Sequence, residues 1–77
     1  MNQVIPLATV RPGCTVQIVS LLGGSRLQRR LADMGLGPGV LVSVLNSQMP
    51  GPVILNLRGS RLALGHGMTM RILVRVV

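Results

Sequence analysis

A short helical segment in an otherwise strand-like chain is the feature that most constrains this fold. Leu27, Leu31 and Met34 recur at helical spacing and are expected to share one face, towards a core. Gly35 follows where a left-handed residue usually ends a helix, and the Pro-Gly pair at 38–39 prevents its continuation. The segment predicts a helix that ends sharply and leads directly into a strand.

The start of this helix carries a capping signal. Ser25 is expected to cap the first turn, and Gln28 stands three residues later, where its side chain can reach back to the backbone N–H of the cap. The two residues predict a capping box.

The remaining sequence predicts short antiparallel strands. Apolar and β-branched residues favour strands at 15–22, 40–46, 53–58, 61–64 and 71–77, with an edge-like segment at 4–7. Gly59-Ser60 fits a two-residue type II′ hairpin, and residues 65–70 fit a turn that includes one helical turn. About five strands and one helix, without a βαβ repeat, predict a mainly β fold, a small antiparallel barrel.

Length and cysteine content limit the class of protein. Seventy-seven residues accommodate one domain, 1–77. Cys14 is the only cysteine, which excludes an internal disulfide and indicates a reducing compartment. Residues 1–7 are too short for a secretion signal, and no stretch approaches the about 18 apolar residues of a membrane span. We expect a soluble, cytoplasmic protein.

Apolar content and charge both indicate a partner. Hydrophobic residues make up 48% of the chain and none is aromatic, so the core must be aliphatic and part of the apolar surface is expected to stay exposed. Such a patch would meet another protein or a second copy of the chain. All eight basic residues are arginines, and Asp33 is the sole acid. Because arginine suits bidentate contact with carboxylates or phosphates, the acidic counterpart is expected elsewhere.

The sequence lacks the side chains of an enzyme or a closed metal site. His66 is the only histidine and Asp33 the only carboxylate, so neither a nucleophile with its base nor a general acid–base pair can be assembled. A structural zinc site needs about four Cys or His ligands, whereas Cys14 and His66 are single and distant in sequence. We therefore predict no catalytic activity, no cofactor and no metal ligand.

Arg26, Arg29 and Arg30 form one basic face of the predicted helix, because they stand at i, i+3 and i+4. The face fits an acidic protein partner, a nucleic acid, or a purely solubilising surface. The absence of aromatic side chains argues against nucleic acid as the partner, since proteins that bind single-stranded nucleic acid stack bases on such side chains.

The order of motifs resembles the FeoA family. The run RLADMGLGPG at 30–39 and the hairpin RGSRLAL at 58–64 carry the resemblance, which extends over nearly the whole chain. It implies an SH3-like barrel with a helical insertion. It also implies a cytosolic accessory role in bacterial ferrous iron transport, beside the membrane GTPase-transporter FeoB, so that the chain meets the membrane only through that partner.

Combining both lines, we predict that the chain binds and modulates FeoB. The predicted contact residues are Arg26, Arg29 and Arg30, with Leu36 and Met49 as exposed apolar anchors. The alternatives are a basic nucleic-acid-binding SH3-like barrel and a metal-responsive adaptor, the latter using Cys14 or His66.

Overall fold

One antiparallel sheet of six strands forms the framework of the molecule. The computed structural model describes residues 3–48 and 51–77. The elements follow in the order β1 (Val4–Pro6), a 3₁₀ turn (Leu7–Thr9), β2 (Thr15–Leu21), α1 (Ser25–Asp33), β3 (Leu41–Ser47), β4 (Val53–Leu57), β5 (Ser60–Leu64), α2 (His66–Thr69) and β6 (Ile72–Val76). The edge-like segment of the sequence prediction is the additional strand, β1.

The strands are ordered β1-β6-β2-β3-β4-β5, and every pair is antiparallel. The last strand, β6, thus lies between β1 and β2. Two pairings contain irregularities, one in β2 between Ile18 and Ser20 and one in β3 between Val44 and Asn46. α1 is inserted between β2 and β3. This confirms the predicted barrel of short strands with one inserted helix.

Within the described residues, the hydrophobic core is built from aliphatic side chains, and Thr69 is a buried polar residue. Alternate residues of each long strand are buried because successive side chains of a strand point to opposite faces. The strand residues that are buried include Val16, Ile18, Val42, Val44, Val53, Leu55, Ile72 and Val74. α1 contributes Leu31, which is fully buried, while Leu27 and Met34 pack partly buried against the cluster. The predicted apolar stripe of the helix is therefore confirmed.

The start of α1 differs from the predicted capping box. Gly24 is the N-cap and has extended backbone angles, so the helix begins at Ser25 and no side chain caps it. The amide of Gln28 instead donates to the carbonyl oxygens of Gly23 (3.3 Å) and Leu21 (3.5 Å). Gly23 has φ 129°, a conformation that favours glycine and turns the chain into the helix one residue earlier than expected.

The end of α1 is a Schellman motif. Gly35 has φ 87°, as predicted for the residue after the C-cap. Its N–H donates to the carbonyl of Ala32 (2.9 Å), and the N–H of Leu36 donates to that of Leu31 (2.8 Å). These two bonds turn the chain back over the last helical turn.

The β4–β5 hairpin turns at Arg58-Gly59, not at the predicted Gly59-Ser60. Leu57 pairs with Ser60, so the two-residue loop lies between them. Arg58 has φ 51° and Gly59 has φ 86°, which is the pattern of a type I′ turn. The N–H of Gly59 donates to Oδ1 of Asn56 at 2.8 Å, which helps hold the turn. As a result, β5 begins at Ser60, one residue earlier than the predicted strand at 61–64.

Among the described residues, the structure contains no helix long and apolar enough to cross a membrane.

Candidate functional site

Three arginines of α1 are exposed, as the sequence predicts. Arg26, Arg29 and Arg30 all lie on the solvent side of the helix, and its first turn contains no acidic residue. Arg26 stands near the N-terminus of α1, where the helix dipole is positive and disfavours a cation. The one acidic side chain, Asp33, cannot neutralise three guanidinium groups. We call Arg26, Arg29 and Arg30 the arginine face.

A groove of about 590 Å³ runs between α1 and β2 beside the arginine face. Its helix wall comes from four residues at helical spacing, and its other wall from the end of β2. A third part is the loop after α1. The lining residues are Val19, Ser20, Leu21, Ser25, Gln28, Arg29, Ala32, Gly37 and Pro38. We call this cleft the α1–β2 groove.

The groove exists because β2 continues beyond its pairing with β3. The pairing of β2 with β3 spans Thr15 to Gln17. At Ile18 it gives way to backbone hydrogen bonds with Gly39 and Val40, which precede β3. On the opposite side β2 remains paired with β6 as far as Leu21. The register shift between Ile18 and Ser20 leaves Val19 without a partner residue. Residues 19–21 therefore have a strand on one side and the groove on the other.

Arg29 connects the arginine face to the groove. It lines the groove, and with Ser25 and Arg26 it also lines an adjoining depression of about 260 Å³. Both surfaces contain arginine and neither contains a carboxylate. The site can therefore bind a group that combines an apolar part with a negative charge.

The prediction that Leu36 is an exposed apolar anchor is wrong. Leu36 is fully buried, because the Schellman motif directs the second residue after the C-cap back against the helix. In a Schellman motif, the residue at the position of Leu36 makes an apolar contact with the residue at the position of Leu31. Leu31 is also fully buried. Met49 lies outside the described residues.

The sequence interpretation missed the groove residues of β2 and the helix side facing them. Ala32 is exposed and small, so the helix does not fill the space in front of β2. The spacing of Ser25, Gln28, Arg29 and Ala32 was a readable signal, since it defines a second helix face beside the apolar stripe. The irregularity at Val19 had no such signal, because strand register is set by partners distant in sequence.

Other chemistry-bearing side chains are dispersed. Within residues 3–48 and 51–77, no group of three or more His, Cys, Asp or Glu side chains is placed to hold a metal ion. Cys14 is a free thiol of intermediate burial.

The fold and the site define a small SH3-like domain with an inserted basic helix. The family model described as the FeoA domain matches residues 5–76, and the chain belongs to the FeoA family. Its similarity to "Putative Fe(2+) transport protein A" of Methanocaldococcus jannaschii is 36% identity over 69 residues, covering 90% of this chain and 83% of the relative.

Solved structures of FeoA-type proteins and of a repressor have the same fold. A crystal structure titled as an iron uptake regulatory protein (FeoA) matches with a TM-score of 0.90 and 39% identity, covering 97% of this chain and all of the other. A FeoA-like protein from Clostridium acetobutylicum matches with a TM-score of 0.84 and 29% identity, covering this chain fully and 91% of the other. A manganese-dependent transcriptional repressor shares the fold at a TM-score of 0.87 and 18% identity, and the match covers 44% of that chain and all of this one.

Proposed function

We propose that this chain is a non-enzymatic cytoplasmic accessory protein of ferrous iron uptake. It docks through the arginine face on the cytosolic part of a FeoB-type membrane GTPase-transporter and modulates that transporter. The family assignment supports the pathway, since a relative is named for Fe(2+) transport and a structural neighbour for regulating iron uptake.

The observation that carries the docking proposal is the exposed arginine face beside an unfilled groove. The three arginines are not used for packing, because the core contact of α1 comes from Leu27, Leu31 and Met34. Of the three, only Arg30, in the last turn, stands where the helix dipole favours a cation. Arg26 stands where the helix dipole opposes it. A charged surface of this kind steers an oppositely charged partner during association. The expected partner surface is therefore acidic.

The test is calorimetric binding to the purified cytosolic part of FeoB from the same organism. The double variant Arg29→Glu and Arg30→Glu reverses two charges of the arginine face. The matched control, Arg58→Glu with Arg61→Glu, makes the same change of net charge at the β4–β5 hairpin. Arg58 lines a separate depression that shares no residue with the groove, and Arg61 is exposed.

We expect the helix variant to bind at least about tenfold more weakly, which corresponds to about 1.4 kcal/mol, and the hairpin variant to change less. Equal binding by the helix variant and the native chain would contradict the docking face. Failure of the native chain to bind would contradict the choice of partner. A salt-dependent gel shift with short duplexes, without FeoB binding, would favour nucleic acid instead.

A further inference from the structure

We propose that the α1–β2 groove binds an extended acidic segment of the partner, which lies alongside residues 19–21 of β2. The segment places a leucine-sized apolar side chain in the groove and a carboxylate against Arg29 and Arg26. This inference rests on the proposed function for the identity of the partner, but not for the chemistry of the segment.

The size and lining of the groove favour a peptide side chain over a bulk surface contact. Its volume of about 590 Å³ lies within the range of about 300–1,000 Å³ that is usual for ligand-binding clefts. Val19, Leu21, Ala32 and Pro38 supply apolar surface, and four other lining residues, among them Arg29, supply polar groups. Such a cleft suits one or two apolar side chains held in a fixed orientation.

The open side of β2 favours an extended backbone. Residues 19–21 lie beyond the β3 pairing, while β6 occupies their other side. Strands that are paired on one side only can accept an additional strand from a partner, whose alternate side chains then enter pockets. The carbonyl of Leu21 accepts a long 3.5 Å bond from Gln28, a flexible side chain that can exchange for a peptide N–H.

Charge determines which segment fits. Arg29 lines the groove, and together with Arg26 and Ser25 it also lines the adjoining depression. A carboxylate there can accept charge-assisted hydrogen bonds from either guanidinium group. A second copy of this chain is a poor occupant, because its net charge is +7 and Asp33 is its one acidic side chain. The acidic segment must come from a different protein.

The experiment is an NMR titration of the ¹⁵N-labelled chain with the peptide acetyl-Glu-Leu-Val-Leu-Glu-amide. Its charge-reversed counterpart, acetyl-Lys-Leu-Val-Leu-Lys-amide, has the same apolar residues. The groove-filling variant is Ala32→Phe, and Ala63→Phe is the matched control. Both alanines are exposed, so each substitution leaves the core unchanged, and Ala63 lies on β5.

We expect the acidic peptide to shift amide signals of the groove residues, with at least tenfold weaker binding for the lysine peptide and for Ala32→Phe. The Ala63→Phe variant is expected to bind like the native chain. The proposal is overturned if the acidic peptide does not bind, if its shifts lie elsewhere, or if both peptides bind equally. It is also overturned if light scattering shows a dimer that Ala32→Phe dissociates, since the occupant is then a second copy.

Binding of Ala32→Phe to the cytosolic part of FeoB separates this inference from the proposed function. Equal binding by Ala32→Phe and the native chain would overturn the groove while the docking proposal stands. Groove shifts with the acidic peptide, but no binding of FeoB, would support the groove and overturn the partner. Weaker FeoB binding by Ala32→Phe, with native binding by Ala63→Phe, would support both the groove and the choice of FeoB as partner.

Discussion

Replacing Gly35 with alanine tests whether the left-handed glycine at the end of α1 contributes to the stability of the domain. Gly35 has φ 87°, and a Cβ at this position would lie 3.2 Å from Cδ2 of Leu57. The substitution therefore introduces both a backbone strain and a close contact with β4. Gly37, two residues later in the same loop, has open space around the corresponding Cβ position. The variant Gly37→Ala is the matched control.

The expected loss of stability follows from the backbone. A left-handed conformation costs an ordinary L-residue about 1–2 kcal/mol. The reduced freedom of alanine in the unfolded chain offsets about 0.4–1 kcal/mol, and the contact with Leu57 adds to the cost. We expect a net loss of about 1–2 kcal/mol, and a decrease of roughly 5–15 °C in Tm for a domain of this size. Gly37→Ala is expected to change stability by less than about 0.5 kcal/mol.

Urea unfolding followed by far-UV circular dichroism measures both variants, since the chain has no Trp or Tyr for fluorescence. Gly35→Asn is expected to recover part of the loss, because asparagine tolerates the left-handed region. Native stability in Gly35→Ala would refute the reasoning. So would an equal loss in Gly37→Ala, which would attribute the effect to the loop as a whole.

Three further predictions concern packing, the hairpin and docking. Leu36→Ala is expected to lower the free energy of unfolding by about 2–5 kcal/mol, because Leu36 is fully buried; a native unfolding midpoint would contradict this. Arg58→Asn is expected to raise stability by up to about 1 kcal/mol, since asparagine suits the first position of a type I′ turn, and an unchanged or lower Tm would count against that turn assignment. The same variant is expected to bind FeoB like the native chain in calorimetry, and a loss of affinity would place the hairpin in the interface.

The sequence was sufficient to predict what depends on local patterns. The helix, its apolar stripe and its glycine ending were readable because each follows from residues within a few positions. The buried residues of the strands could be predicted because burial alternates along each strand, as for Val42 and Val44. The exposed arginines of α1 were predicted from the same helical spacing.

Features that depend on distant or directional contacts were not predicted. Leu36 follows a glycine in a loop, where an apolar side chain can point to solvent or back to the helix. The hydrogen bonds of the Schellman motif direct it back to the helix. The observed hairpin turn lies one residue before the predicted one, because the β4–β5 register, and not the glycine alone, determines which residues form the loop. The groove depends on where the β2–β3 pairing stops, which neither strand encodes by itself.

The central claim is that the arginine face of α1 directs the chain to its partner. The most direct measurement is the association rate constant with the cytosolic part of FeoB at several salt concentrations. For Arg29→Glu with Arg30→Glu we predict an association rate at least about tenfold slower than native at low salt, with a weaker salt dependence, and a smaller change for Arg58→Glu with Arg61→Glu. Equal slowing by both double variants would show that net charge alone acts, and would contradict the account.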